Sequence, residues 1–171
     1  SLPPGYTHVQ HTFEPVFDTH SRILILGSFP SVKSRENQFY YGHPQNRFWK
    51  LMARLLNVPV PQSIDEKKTM LLTHGLALWD VIASCDIKGS SDSSIKNAVP
   101  ADISRILKTA DIHTIIANGG TAFKLYSRYC EPLTGRPAIL CPSTSPANAA
   151  FSLERLAESW EPVIKPVISG F

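Results

Sequence analysis

The sequence predicts an α/β fold, a three-layer α/β/α sandwich around a central, mainly parallel four-stranded sheet. Short apolar runs alternate with amphipathic helical segments along the chain, which is typical of parallel strands joined by helical crossovers. With 171 residues, of which 43% are hydrophobic, the chain can bury one core and is too short for two ordinary domains. We therefore expect residues 1–171 to form a single domain.

Four apolar runs supply the predicted strands. Residues 22–26 (RILIL) form the first run, which breaks at Gly27. Residues 76–82, 113–117 and 137–141 supply the second, third and fourth strands. The runs are short and rich in branched side chains, as expected of strands that are buried on both faces.

The predicted helices lie between and after these strands. Apolar residues recur at helical spacing from Phe48 to Leu55 and predict a helix over residues 46–57. A second helix is predicted over residues 63–74, with Ser63 or Asp65 near its cap. Further helices are predicted over residues 100–108, 121–129 and 151–160. Residues 86–97 (DIKGSSDSSIKN) are polar and rich in serine, and predict an exposed loop.

Charge and cysteine usage narrow the class of protein. A net charge of +3 and a pI of about 8.8 are compatible with a polyanionic partner but do not require one. The three cysteines form no Cys-x-x-Cys pair and no zinc-type cluster, which favours a reducing compartment without a structural metal. No apolar run approaches the length of a membrane span. We expect a soluble, monomeric protein that is cytoplasmic or otherwise intracellular and does not act on membranes.

The loops that follow the strands are the predicted site, because ligands of parallel sheets bind beyond the carboxyl ends of the strands. The loops starting at Gly27, Asn118 and Pro142 should share one edge. In the first loop, GSFPS, a glycine and small hydroxyl residues let backbone amides approach a ligand, and Phe29 offers apolar surface to a planar base. An ordinary turn would have the same composition.

Two further segments carry candidate residues, each with a structural alternative. The aromatic residues before the GHPQN turn, Tyr41 among them, are suited to stacking on a base, but they fit a core equally well, and Asn46 fits a helix cap. In STSPAN, residues 143–148, hydroxyl groups in a stiff loop suit phosphate binding, whereas an ST-turn would use them as caps. Asp92, in the polar loop, qualifies as a base only if it lies close to the site.

The order of these motifs resembles the uracil-DNA glycosylase superfamily. HPQNRFWKLM, residues 43–52, is similar to a segment of the mismatch-specific uracil and thymine glycosylases. Many members carry an Asn or Asp two residues after the glycine of the first motif, where this chain has Phe29. The hypoxanthine-DNA glycosylase branch resembles the chain more fully, in GSFPS and in FYYGHPQNRFW, residues 39–49.

The resemblance implies hydrolysis of the N-glycosidic bond of a deaminated base, first deoxyinosine, with xanthine and uracil as further candidates. It implies double-stranded DNA as the partner and no cofactor. The catalytic residue that it implies is Asn46, with its side-chain carbonyl positioning water, and Tyr41 stacks on the extruded base. The expected base-binding residues are Gly27, Ser28, Phe29, Tyr41, His43 and Asn118, and the expected DNA contacts are Ser143, Ser145, Asn148 and Lys88.

Two alternatives remain open at this stage. A mismatch-type uracil or thymine glycosylase is favoured by HPQNRFWK and opposed by Phe29. A DNA-binding relative without catalysis is compatible with the same substitution. A nucleotide-binding Rossmann protein is opposed by the absence of a GxGxxG motif after the first strand.

Overall fold

The computed structural model describes residues 2–169 of the chain. Its strands are Thr7–Gln10 (β1), Ile23–Gly27 (β2), Leu76–Asp80 (β3), Ile82–Ile87 (β4), Lys96–Pro100 (β5), Thr114–Asn118 (β6) and Ile139–Cys141 (β7). Its α-helices are Val32–Asn37 (α1), Phe48–Leu56 (α2), Ile64–Thr73 (α3), Ser104–Thr109 (α4), Gly120–Leu125 (α5), Glu131–Thr134 (α6) and Leu153–Ile168 (α7). A π-helical turn, Tyr126–Cys130, joins α5 to α6.

The central sheet has the strand order β3-β2-β6-β7, and every pair in it is parallel. β2 lies in the middle, with β3 on one side and β6 on the other, so the chain leaves β2 in one direction and later returns to its opposite side. Such a reversal of strand order opens a crevice at the carboxyl ends of the strands. The predicted fold class and all four central strands are confirmed, with shifts of one or two residues at most ends.

The core lies on both faces of this sheet. Ile23 and Ile25 point to one face, where α2, α3 and α7 cover them, whereas Leu24 and Leu26 point to the other. Side chains of α4, β4 and the π-helical turn cover that second face. The alternation follows from the two-residue period of a strand, and it gives the three layers.

An antiparallel sheet of order β1-β4-β5 corrects the prediction for residues 86–97. Asp86 and Ile87 end β4, and β5 begins at Lys96, so only the segment between them is a loop. The apolar run 76–82 is also divided, because Val81 separates β3 from β4. β5 escaped prediction since it lies at a sheet edge, where polar side chains such as Lys96 and Asn97 remain exposed.

The helices differ from the predictions mainly at their ends. α7 begins at Leu153, later than predicted, and continues past residue 160 through Pro162 and Pro166. The burial of Ile164 in the core favours this continuation although each proline removes a helix hydrogen bond. The helix predicted from residue 100 starts at Ser104, and the one predicted over 121–129 gives way to the π-helical turn after Leu125. Within the described residues, no helix is both long and apolar enough to cross a bilayer.

Candidate functional site

A cleft of about 1030 Å³ opens at the carboxyl edge of the central sheet. The loops after β2, β6 and β7 line it, together with the turn before α2 and part of the loop between β4 and β5. The three loops predicted to share one edge therefore do so. Ten of the eleven residues predicted for the site line this cleft: the catalytic candidate Asn46 and the binding candidates Gly27, Ser28, Phe29, Tyr41, His43, Asn118, Ser143, Ser145 and Asn148.

Gly27 lies at the floor of the cleft, where two side chains approach its backbone. A Cβ atom at this position would stand 2.4 Å from Oδ1 of Asp80 and 3.1 Å from the hydroxyl oxygen of Tyr41. The first distance is shorter than any real contact of a Cβ atom. The glycine of GSFPS is thus required by the close approach of Asp80, which is its neighbour in register on β3.

Asp80 is a buried carboxylate of the cleft that the sequence reasoning missed. Its Oδ2 lies 2.8 Å from Nε2 of His11, and both side chains are only 4% exposed. His11 comes from the segment after β1, so this pair ties the antiparallel sheet to the cleft floor. A sequence signal for Asp80 existed, because it is the polar residue that ends the buried run LALWD. None existed for His11.

Asp92 also lines the cleft. It therefore meets the condition set by the sequence, that a candidate base must lie close to the site. The hydroxyl of Ser28 donates a hydrogen bond to its Oδ2 at 2.8 Å. The residue is exposed as a whole, but its carboxylate turns inward, and burial raises the pKa of that group. The hydrogen bond from Ser28 opposes this rise, and the charge of Asp80 adds to it. The cleft therefore holds two acidic side chains close enough for the charge of Asp80 to act on the pKa of Asp92.

Tyr41 presents its ring to the cleft from a left-handed backbone conformation with φ of 53°. One side of the ring packs on Phe48, at 4.4 Å between centroids. Its hydroxyl is buried without a hydrogen bond of ordinary geometry among the described residues. Burial raises the pKa of this phenol, Asp80 raises it further, and the nearby Asn118 amide opposes the shift. Phe39 and Tyr40, in contrast, are core residues.

Asn46 stands in the turn before α2 with its side chain held from two directions. Its Oδ1 accepts a hydrogen bond from the backbone amide of Phe48 at 2.9 Å and another from the hydroxyl of Thr144 at 2.8 Å. The first bond resembles a helix cap, so the structural alternative for Asn46 and its place in the cleft are both realised. Since a carbonyl oxygen has two lone pairs, both are engaged, and the Nδ2 amide is the group left for a ligand.

The loop of residues 142–148 is held by Arg47. The guanidinium donates to the carbonyl oxygens of Thr144, Ser145, Asn148 and Phe151. Within the loop, Ser145 caps the amide of Ala147, and the side-chain amide of Asn148 donates to the Ser143 carbonyl. Ser145 and Asn148 thus stabilise the turn, as in the structural alternative for STSPAN, and they also line the cleft.

His43 lies in the same turn as Asn46. Its Nδ1 accepts a hydrogen bond from the backbone amide of Gln45 at 3.1 Å, and its backbone carbonyl accepts one from the backbone amide of Asn46 at 3.0 Å. These bonds close the GHPQN turn and set the direction in which Asn46 enters the cleft.

Comparison with known sequences decides the family. The sequence profile of the Uracil DNA glycosylase superfamily matches residues 14–163. The chain belongs to this superfamily. The resemblance found in the motifs and the glycosylase class that it implied are confirmed.

Individual members of the superfamily agree with this assignment. A protein named "Hypoxanthine DNA glycosylase" from Methanosarcina acetivorans is 35% identical over 161 residues, which cover 92% of this chain and 99% of that protein. A protein of the same name from Methanosarcina barkeri is 38% identical over 87 residues, 50% of this chain and 54% of its own length. A solution NMR structure of a candidate uracil DNA glycosylase from M. acetivorans superposes with a TM-score of 0.77 at 33% identity, covering 91% of this chain and 96% of that one.

Lys88 is the one predicted site residue of this superfamily member that lies outside the cleft lining. Its ammonium group rests over the ring of Tyr6, at 5.1 Å from the centroid, and Lys96 approaches the same ring at 4.9 Å. The sequence reasoning also missed Arg47 and Thr144 as parts of the site. Both stand inside segments that it had singled out, HPQNRFWK and STSPAN, but their partners lie about a hundred positions away in the chain.

Proposed function

We propose that this chain is a monofunctional DNA glycosylase that extrudes a deaminated purine, deoxyinosine first, and hydrolyses its N-glycosidic bond to leave an abasic site. The observation that carries the proposal is the position of Asn46, fixed by two hydrogen bonds in a cleft that Tyr41 also lines. The names of the two Methanosarcina relatives support hypoxanthine as the preferred base.

The cleft can receive a flipped base against Tyr41. Phe48 supports the ring from behind, which fixes its plane, and stacking of a base on an aromatic face is worth roughly 1–3 kcal/mol in single-strand binders. Phe29, Ser28 and Asn118 border the same space and offer apolar surface and hydrogen-bonding groups. Extrusion costs a few kcal/mol and is least costly at a mismatch, which favours deaminated bases before any chemistry occurs.

The reaction places positive charge on the sugar and negative charge on the departing base. The bond between C1′ and the base nitrogen breaks with its electron pair on the base, and the oxygen of water forms the new bond to C1′. The proton that water loses balances the one that the base gains. Carboxylates near the sugar and hydrogen-bond donors near the base favour this charge separation in a site shielded from water. Asp92 and Asp80 are the carboxylates that the cleft provides.

DNA contacts complete the proposal. Ser143, Ser145 and Asn148 lie at the cleft wall, where hydroxyl and amide groups of a stiff loop can reach phosphates. Lys88 lies outside the cleft lining and would add to DNA binding through the attraction of its positive charge to phosphates. If it contacts one phosphate, Lys88→Ala should reduce the slope of log K against log[salt] by about 0.9, whereas Lys165→Ala in α7 should not.

Base release from defined duplexes tests the proposed activity. Duplexes with a single inosine, xanthine or uracil, and a G·T mispair, are incubated with wild type, Asn46→Ala and Gln45→Ala, and abasic sites are revealed by alkaline scission. Gln45 is the matched control because it is the exposed neighbour in the same turn and does not line the cleft. We expect release at inosine that Asn46→Ala slows by at least about 100-fold and that Gln45→Ala retains.

Other outcomes separate the alternatives. Preference for uracil or thymine over inosine would favour a mismatch-type enzyme. Binding to the damaged duplexes without release of any base would replace the enzyme with a non-catalytic DNA-binding protein.

A further inference from the structure

The side chain of Thr144 is fully buried between two asparagines of the cleft. Its hydroxyl accepts a hydrogen bond from Nδ2 of Asn118 at 3.1 Å and donates one to Oδ1 of Asn46 at 2.8 Å. The backbone amide of Thr144 in turn donates to Oδ1 of Asn118 at 3.0 Å. The three side chains therefore form a continuous hydrogen-bonded chain from β6 to the turn before α2.

Two backbone amides fix the direction of every bond in this chain. A backbone N–H can only donate, so the atom of Asn118 that faces the Thr144 amide is its oxygen, and its Nδ2 faces the Thr144 hydroxyl. At the other end, the Phe48 amide requires that the facing atom of Asn46 is its oxygen. The Thr144 hydroxyl accepts from Nδ2 of Asn118, so its single hydrogen is the one donated to Oδ1 of Asn46.

This arrangement leaves the side-chain nitrogen of Asn46, Nδ2, as the atom of its amide that can bind a ligand. Both lone pairs of Oδ1 are engaged, whereas Nδ2 donates to no group in residues 2–169, and the residue lines the cleft. A water that has to be held by the carbonyl would compete with two bonds that also secure a helix end and a loop. A donor placed here is suited instead to the negative charge that forms on a departing base.

Resting on the proposed function, we propose that Thr144 is a positioning residue which, with Asn118, locks the Asn46 amide so that Nδ2 donates a hydrogen bond to the leaving purine. The electron pair of the broken bond spreads over the ring nitrogens of the base, and the Nδ2 hydrogens stabilise that charge as it develops. Asn46 thereby acts on the base, and the attacking water is held by other groups of the cleft.

Asn46→Asp tests the direction of the amide, because it replaces only Nδ2 by an oxygen and keeps the oxygen that Phe48 and Thr144 hold. Single-turnover rates at saturating enzyme are measured on an inosine duplex, with the enzyme concentration at half-maximal rate as a separate readout of binding. We expect Asn46→Asp to lose at least about 100-fold in rate, close to Asn46→Ala. A rate equal to or above wild type would show that the carbonyl is the working group and overturn the inference.

Substitutions of Thr144 test the positioning role. Thr144→Val removes the hydroxyl at nearly constant shape, and we expect a rate loss of roughly tenfold or more with little change in half-saturation. Thr144→Ser retains the hydroxyl, so its rate should be close to that of wild type and well above that of Thr144→Val. In an Asn46→Ala background, Thr144→Val should cost no more than about a further twofold, since its effect acts through Asn46.

The remaining outcomes are also decisive. An equal loss in both backgrounds, or a failure of Thr144→Ser to restore the rate, would overturn the positioning role. Should Thr144→Val fail to fold, Asn46→Asp still tests the inference, because a rate equal to or above wild type would overturn the donor role of Nδ2 that Thr144 is proposed to fix. Failure of the proposed function is distinguishable, because the wild-type protein itself would then release no base.

Discussion

Replacing Arg47 by methionine should release the loop of residues 142–148. The guanidinium donates to four carbonyl oxygens, those of Thr144, Ser145, Asn148 and Phe151. A hydrogen bond from a charged donor contributes about 1.5–3 kcal/mol net, but one side chain makes all four, and loop carbonyls that lose it can turn to water. We therefore count one to two such bonds and expect a loss of roughly 2–4 kcal/mol in the free energy of unfolding.

Thermal unfolding measures this loss. For a domain of this size, 1 kcal/mol shifts Tm by about 2–4 °C, so we expect Arg47→Met to unfold roughly 5–15 °C below wild type. Arg54→Met is the matched control, since Arg54 lies on α2, which Arg47 directly precedes, and its guanidinium pairs with Glu154 at the exposed surface, where water screens the interaction. Equal Tm values for the two variants would refute the role of Arg47 in holding the loop.

Two further predictions concern substitutions of residues that line the cleft, Gly27 and Asp92. Gly27→Ala places a Cβ atom 2.4 Å from Oδ1 of Asp80 and should cost roughly 1–3 kcal/mol of stability together with glycosylase activity. Gly120→Ala, where a Cβ meets nothing within 4 Å, should leave Tm unchanged, and a similar loss of Tm in both variants would argue against a clash. Burial raises the pKa of Asp92, so the folded chain holds this proton more tightly than the unfolded chain, and the stability of wild type should fall as pH rises from the ordinary aspartate range through the raised pKa. Asp92→Asn keeps an acceptor for Ser28 and cannot ionise, so its Tm should lack this part of the slope as pH rises above the ordinary aspartate range, and parallel curves for the two proteins would contradict the shift.

The central sheet was predictable because its strands are buried on both faces. In such strands most positions are apolar, so runs such as ILIL of β2 stand out from their surroundings. β1 and β5 lack that signal, since they lie at edges with most of their side chains in water, and β5 was interpreted as loop. The end of α7 was missed for the opposite reason. Pro162 and Pro166 are strong local signals against a helix, and only the packing of residues such as Ile164 outweighs them.

The candidate site was predictable in position but not in orientation. The carboxyl ends of β2, β6 and β7 follow from the strand pattern, and with them the cleft. Which end of the Asn46 amide meets a ligand depends on Thr144, and no local pattern in GHPQN contains that information. The same holds for the Asp80 and His11 pair, which joins residues from two different sheets.

The hydrogen-bonded chain of Asn118, Thr144 and Asn46 also couples the chemistry to the order in which the molecule assembles. Thr144 lies 98 positions from Asn46 and 26 from Asn118 along the sequence. Contacts this distant form only after the intervening strands have paired, because closing long loops lowers chain entropy before the new bonds compensate. Until they form, the side-chain amide of Asn46 is held only by its local hydrogen bond from the backbone amide of Phe48. Excision of a base by the proposed mechanism therefore requires the complete native topology.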